Sequence, residues 1–212
     1  MWSIAEIADV LEAGLKERSA QLDAEHAVYG LDALEEVALH PVLAEALARG
    51  GFGVHREQRY PADRIRHRES EGRRCDFVLT PDRLPLREPD AKATLFDSPD
   101  AVELDDAFWL EVKVVAQFTP EGPNRNYSSQ LLSTVHQDVT KLSRDRGILH
   151  AGILIVLFVR DTAVAEHDLG IWRDRCLQRG LPIGAPSMRM LSMTDRLGNG
   201  VCALALYPVN HL

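Results

Sequence analysis

Cysteine is scarce in this sequence: it contains only Cys75, Cys176 and Cys202, and no two of them form a CxxC pair. An odd number of widely spaced cysteines predicts free thiols in a reducing compartment rather than a disulfide framework. No apolar run approaches the ~20 residues needed to span a bilayer, and the N-terminus lacks the basic stretch and cleavage pattern of a signal peptide. We therefore expect a cytoplasmic protein that does not enter a membrane.

Several catalytic motifs are also missing. The eight histidines show neither HxH nor HExxH spacing, and the chain has no GxSxG and no GxxxxGK[ST] segment. Histidine metal centres of those types, hydrolase triads and nucleotide-driven motors therefore have no support in the sequence. The composition is ordinary: 45% hydrophobic and 26% charged residues predict one globular domain over residues 1–212.

The charge is negative overall and segregated along the chain. A net charge of −8 argues against coating nucleic acid through bulk positive charge, although it is compatible with a local basic groove. Between residues 82 and 106, eight acidic residues outnumber three basic ones in a proline-containing segment that we predict to be a long loop. Seven arginines precede it, at positions 56, 59, 64, 66, 68, 73 and 74. Either a solvated hairpin or a phosphate-binding surface fits this stretch.

Hydrophobic periodicity predicts a mixed α/β fold. Helical spacing covers 3–26, 31–49, 128–144 and 163–179, and strand patterns cover 52–60, 74–80, 107–115, 153–158, 187–194 and 201–207. Pro41 either kinks the second helix or separates two shorter ones. The order indicates an antiparallel meander of three strands, then a helical crossover to a buried strand that runs parallel to the third. We expect a mixed sheet flanked by helices.

Three ionisable residues interrupt the second and third predicted strands. Alternation puts Glu111 and Lys113 on one face of the third strand, about 7 Å apart. Asp76 interrupts a similar apolar run, and pairing of the two strands would place it beside Glu111. Two neighbouring carboxylates repel unless one is protonated or a cation lies between them, and Mg²⁺ is bound by carboxylate oxygens and water. The alternative is an internal salt bridge between Glu111 and Lys113 in a half-buried sheet.

Asp76, a spacer and then Glu111-Val112-Lys113 resemble the D…(D/E)xK signature of the PD-(D/E)XK nuclease superfamily, although Cys75 precedes the aspartate where many members have proline. The resemblance implies that Asp76 and Glu111 hold one or two Mg²⁺ ions, for which Mn²⁺ can substitute. It also implies that Lys113 orients the attacking water or stabilises charge on the phosphorane.

The same resemblance implies a restriction-endonuclease-like α-β-β-β-α-β core over about 31–158. An N-terminal helix (about 3–26) and a C-terminal helix and hairpin (about 163–208) are additions to it. The expected activity is metal-dependent hydrolysis of phosphodiester bonds in nucleic acid, with DNA preferred over RNA and low sequence specificity. The alternatives are an inactive binding or assembly module of this fold, and a nuclease effector controlled by a regulatory protein or by homodimerisation.

Members of the superfamily often add a metal-binding glutamate from the helix before the first strand. Glu45 is the least favoured of three candidates. Glu35 lies closer to the apolar stripe of that helix, whereas Glu36 has the better spacing to Gly51. The choice between them stays open, with Glu36 preferred.

Other residues are candidates for auxiliary roles. Asp138 and Lys141 lie on one flank of the helix over 128–144, where a solvated i,i+3 pair is the preferred interpretation. Lys141 is nevertheless a candidate for contacting nucleic acid, and Gln117 and Tyr127 could contact phosphate or orient a ligand. The candidates for phosphate contacts on the first two strands are Arg56, Arg59, Arg73 and Arg74.

Overall fold

The computed structural model describes residues 2–62, 74–87 and 100–211. In chain order the strands are β1 Gly53–Arg59, β2 Arg74–Thr80, β3 Phe108–Ala116, β4 Phe118–Thr119, β5 Gly122–Pro123, β6 His150–Val159, β7 Ser187–Ser192 and β8 Val201–Val209. Six of them form one sheet in the order β1-β2-β3-β6-β8-β7, and β4 pairs with β5. Within the large sheet only β3 and β6 are parallel, which confirms the predicted crossover.

Helices cover both faces of this sheet. Those of ten residues or more within the described ranges are α1 Ile4–Ala24, α2 Glu36–Arg49, α3 Val135–Arg144 and α4 Thr162–Gln178. α1 and α2 share one buried core with Phe77 and Leu110, and α3 and α4 share the other with Trp109. The structure is therefore a mixed α/β fold with a mostly antiparallel sheet between two helical layers. No helix of the described chain is long and apolar enough to cross a membrane.

The N-terminal helix lies very close to α2. Its first turn is capped as the sequence predicted, because Ser3 Oγ accepts a hydrogen bond from the backbone N–H of Glu6 at 3.2 Å. A Cβ atom at Gly14 would lie 2.3 Å from the Cβ of Ala46 on α2. Only glycine therefore permits this approach of the two helices without a shift of one of them.

The predicted helix over 31–49 is wrong in its first five residues. Leu31–Ala33 forms a 3-10 turn, and the extended backbone of Leu34 separates it from α2. The helical spacing of apolar residues extends across this break because Leu31 is buried although it lies outside the helix. α2 passes through Pro41 as one helix, so the proline does not separate two helices. The late start places Glu36 in the first turn of α2.

Two other segments differ from the sequence prediction. The helix expected over 128–144 begins as a short turn, Tyr127–Ser129, and a π-helical stretch, Gln130–Thr134, before α3. Such π segments change which side chains share a helix face, and they are frequent near functional sites. The predicted acidic loop contains a 3-10 turn, Pro81–Arg83, and a parallel bridge between Leu86 and Val102. Residues 88–99 of that loop lie outside the described part of the chain.

Candidate metal centre

The ladder between β2 and β3 ends next to the acidic residue of each strand, Asp76 and Glu111. This antiparallel ladder reaches the Phe77–Leu110 pair. One step further, where Asp76 would face Glu111, Oδ2 of Asp76 accepts a hydrogen bond from the backbone N–H of Val112 at 2.7 Å. The predicted pairing of these two strands is confirmed, and it brings the side chains of Asp76 and Glu111 within hydrogen-bonding reach of each other.

Glu111 lies deep in this junction, with 3% of its surface exposed. Its Oε1 accepts a hydrogen bond from the Tyr60 hydroxyl and lies 3.2 Å from Lys141 Nζ. Burial and the neighbouring Asp76 raise the pKa of Glu111 to about 8, although Lys141 opposes the shift. Burial also raises the pKa of Asp76. Both carboxyl groups therefore resist ionisation unless positive charge is brought to them.

Two lysines supply part of that positive charge. Lys113 Nζ lies 3.1 Å from Oε1 of Glu36 and 3.6 Å from Oδ2 of Asp138, and Lys141 Nζ lies 2.7 Å from Oδ1 of Asp138. Burial by itself would lower the pKa of each lysine, but the surrounding carboxylates outweigh it and raise the pKa of both. Both ammonium groups therefore stay charged. Glu36 Oε2 also accepts from the backbone N–H of Val114 at 3.3 Å, which fixes α2 against β3.

These residues form one carboxylate cluster, composed of Glu36, Asp76, Glu111, Asp138, Lys113 and Lys141. Four carboxylates and two ammonium groups leave a formal charge of −2 when all six are ionised. One divalent cation would cancel this excess and favour the ionised forms of the buried Glu111 and the half-buried Asp76. Carboxylate oxygens with room for water are the ligands that Mg²⁺ and Mn²⁺ prefer, so the residues present fit such an ion.

A second group of ligands shares Asp76. A ring nitrogen of His40 and carboxylate oxygens of Glu57 and Asp76 all lie within 4.8 Å of one another. His40 is 3% exposed on α2, and its ring packs against the edge of Phe77 with centroids 5.2 Å apart. Burial lowers the pKa of His40, which favours the neutral imidazole that binds metals.

An open groove begins at the carboxylate cluster and runs along α3. It has a volume of about 900 Å³, and Asp138, Lys141, Arg144 and Arg179 are among its lining residues. The predicted pair of Asp138 and Lys141 exists, but its solvated interpretation is wrong because Asp138 is only 7% exposed. The groove thus places basic side chains beside Asp138, one carboxylate of the cluster.

The other predicted residues lie elsewhere. Arg56, Arg59 and Arg74 are exposed on β1 and β2, and Arg73 lies outside the described residues. Arg59 and Arg74 occupy paired positions of the two strands.

Two of the auxiliary candidates make structural contacts, and a third candidate, Glu35, lies at the surface. Gln117 Oε1 accepts a hydrogen bond from the backbone N–H of Arg160 at 3.1 Å, and the Tyr127 hydroxyl donates to Asp168 Oδ2 at 2.7 Å. Glu35 is exposed at the start of α2, whereas the next residue, Glu36, reaches Lys113. The structure therefore brings Glu36 rather than Glu35 to the cluster.

Sequence reasoning missed three residues of this region. Tyr60 follows the end of β1, and only its place between a strand and Pro61 marks it. His40 lies among apolar residues of α2 and therefore has the pattern of a core histidine. Glu57 is one of several charged residues on β1, and its positive φ of 53° has no local signal such as glycine or asparagine.

No protein-family model, curated protein or solved structure matches this chain. The chemistry of the site therefore has to be inferred from its own geometry and charge.

Proposed function

We propose that this chain is a metal-dependent nuclease of the PD-(D/E)XK type that hydrolyses phosphodiester bonds in nucleic acid, with DNA as the preferred substrate. One observation carries the proposal: Asp76 and Glu111 meet where β2 and β3 separate, and Lys113 lies in the same cluster. A buried glutamate beside a half-buried aspartate, both with raised pKa values, is costly to keep without a cation. A bound divalent cation would stabilise the two neighbouring carboxylates.

The topology supports a restriction-endonuclease-like fold. α2 precedes the antiparallel strands β1, β2 and β3, and α3 then leads to β6 parallel to β3. This is the α-β-β-β-α-β order that the proposed fold requires. The acidic pair lies in the central strands of that unit, and α2 and α3 each contribute a carboxylate to it, from Glu36 and Asp138.

Asp76 and Glu111 would hold Mg²⁺ or Mn²⁺, with Glu36 as an additional ligand. When bound, the ion lowers the pKa of a coordinated water and neutralises charge that develops on the phosphate. Lys113 then orients the attacking water or stabilises the negative charge of the transition state. Releasing Glu36 from its 3.1 Å contact with Lys113 would make both groups available.

The groove along α3 supplies a place for the nucleic-acid backbone. Lys141, Arg144 and Arg179 line it beside the carboxylate cluster, and cationic side chains that contact phosphate fix the position of the strand without reading its bases. Arg56, Arg59 and Arg74 offer further phosphate contacts on the exposed part of β1 and β2. This distribution predicts binding that depends strongly on salt and weakly on sequence.

The test is cleavage of supercoiled plasmid and of single-stranded DNA in Mg²⁺ or Mn²⁺, with EDTA as the metal-free control. Lys113→Ala should lower the rate at least about a hundredfold, as expected when a group that stabilises transition-state charge is removed. Lys16→Ala is a matched control, because Lys16 forms an ion pair with Glu12 on the exposed side of α1. Cleavage that persists in EDTA, or that Lys113→Ala leaves intact, would contradict the proposal.

One observation favours a non-catalytic role as the second candidate. Lys113 pairs with Glu36, and Lys141 pairs with Glu111, so the ion pairs could simply stabilise a binding module. Such a module would neither cut DNA nor bind Mg²⁺. A folded protein that does neither would favour this candidate over the nuclease.

A further inference from the structure

A buried histidine on α2 has an unusual combination of position and bonding. His40 is 3% exposed, and its Nε2 is buried with no hydrogen-bond partner in the part of the chain that the structure describes. An unsatisfied buried polar atom is destabilising, so native structures rarely keep one without a reason. A metal ion is one partner that a neutral imidazole nitrogen accepts.

Two carboxylates beside His40 complete a set of three ligands. One ring nitrogen of His40 and one oxygen from each of Glu57 and Asp76 lie within 4.8 Å of one another. Ligand atoms about 2 Å from a shared ion lie roughly 3–4 Å apart. The present spacing of the three ligand atoms, within 4.8 Å, is close to this range, and the exposed Glu57 side chain has room to adjust.

The backbone of β1 is distorted at this point. Glu57 has a φ of 53°, in the left-handed region that charged residues seldom occupy within a strand. The β1–β2 ladder pairs Arg56 with Phe77 and Gln58 with Cys75, but it omits Glu57 and Asp76 between them. Arg74 holds the distortion, since its Nη1 donates to the backbone oxygen of Glu57 at 2.9 Å. Strain of this kind concentrates at functional sites.

We propose that His40, Glu57 and Asp76 form a second divalent-cation site, selective for Zn²⁺ over Mg²⁺ and Mn²⁺. An imidazole nitrogen beside carboxylate oxygens is a ligand set for Zn²⁺, whereas Mg²⁺ and Mn²⁺ prefer oxygen ligands and water. Asp76 would then be shared between this site and the carboxylate cluster. The proposal concerns cation binding alone and holds whether or not the chain cleaves nucleic acid.

Calorimetric titration of Zn²⁺, and separately of Mg²⁺, into the full metal-free chain tests this site. Glu57→Gln and His40→Gln should each weaken the tightest Zn²⁺ binding at least about tenfold and change Mg²⁺ binding by less than about twofold. Because Glu57 is exposed, its substitution tests the ligand without disturbing the core. His136→Gln is the matched control: His136 is also buried, at 6% exposed, and its Nε2 lacks a partner among the described residues.

Three results would overturn the proposal. Zn²⁺ binding could be unchanged in both Glu57→Gln and His40→Gln, or His136→Gln could weaken it equally. Mg²⁺ affinity could also fall by the same factor as Zn²⁺ affinity, which would indicate one common carboxylate site. Failure of the nuclease proposal is recognised separately, because it appears as absent cleavage in the unsubstituted chain.

Discussion

Replacing Glu111 by glutamine should change how the stability of the metal-free protein depends on pH. Burial raises the pKa of Glu111 from 4.5 to about 8, so this carboxyl takes up a proton on folding at neutral pH. The pKa of Glu111 is higher in the folded than in the unfolded state. The stability that this group contributes is therefore fully present below pH 4.5 and is lost as the pH rises toward 8. Over the two units from pH 5 to pH 7, at about 1.4 kcal/mol per unit, the loss is roughly 3 kcal/mol. Glutamine does not titrate and should escape this loss.

Urea unfolding of both proteins in EDTA at pH 5, 6 and 7 measures the effect. Glutamine removes both the titration of Glu111 and its interaction with Asp76, so the difference in free energy of unfolding between the two proteins reports on this acidic pair. We expect this difference to move in favour of Glu111→Gln by roughly 3 kcal/mol between pH 5 and pH 7. A difference that stays constant over this range would refute the claim that burial keeps Glu111 protonated. Saturating Mn²⁺ should remove most of the slope in the unsubstituted protein, because a cation favours the ionised carboxylate.

Two further predictions concern packing and hydrogen bonding. Gly14→Ala should lower the free energy of unfolding by about 1–3 kcal/mol because α1 would have to move away from α2. Gly170→Ala is the control and should be neutral or slightly stabilising, because there is open space around its Cβ position. Equal effects of the two substitutions in chemical denaturation would contradict the close helix contact. Tyr60→Phe should cost about 1–3 kcal/mol because the buried Glu111 loses a donor, whereas Tyr29→Phe, at a residue that is 51% exposed, should change stability by less than about 0.5 kcal/mol.

The strand that carries Asp76 and the pairing that brings it to Glu111 were accessible from the sequence. Each of these acids interrupts an otherwise apolar run, and alternation along a strand fixes which face it shares. β2 begins and ends as predicted, at Arg74 and Thr80. The parallel relation of β3 and β6 followed in the same way, because one helix connects them and the usual crossover leaves few other arrangements.

The rest of the site depends on contacts that periodicity does not encode. Tyr60 reaches Glu111 across 51 positions of the chain, and no local pattern marks a contact over that separation. His40 has apolar neighbours on α2 that give it the pattern of a core residue. The positive φ of Glu57 arises where β1 pairs with β2. A glutamate at that position does not indicate such a backbone conformation, as a glycine or asparagine would. The sequence predicts a solvated Asp138, since its burial depends on how α3 packs against the sheet and not on local pattern.

Calorimetric titration of Mn²⁺ at pH 7, in two buffers with different enthalpies of ionisation, decides whether the carboxylate cluster is a cation site. We expect the unsubstituted chain to bind Mn²⁺ and to release up to about one proton per ion, because the pKa of Glu111 lies near 8 without the cation. Glu111→Gln should bind Mn²⁺ more weakly and release fewer protons. Binding without proton release, or binding that Glu111→Gln leaves unchanged, would show that the buried acids do not hold the ion.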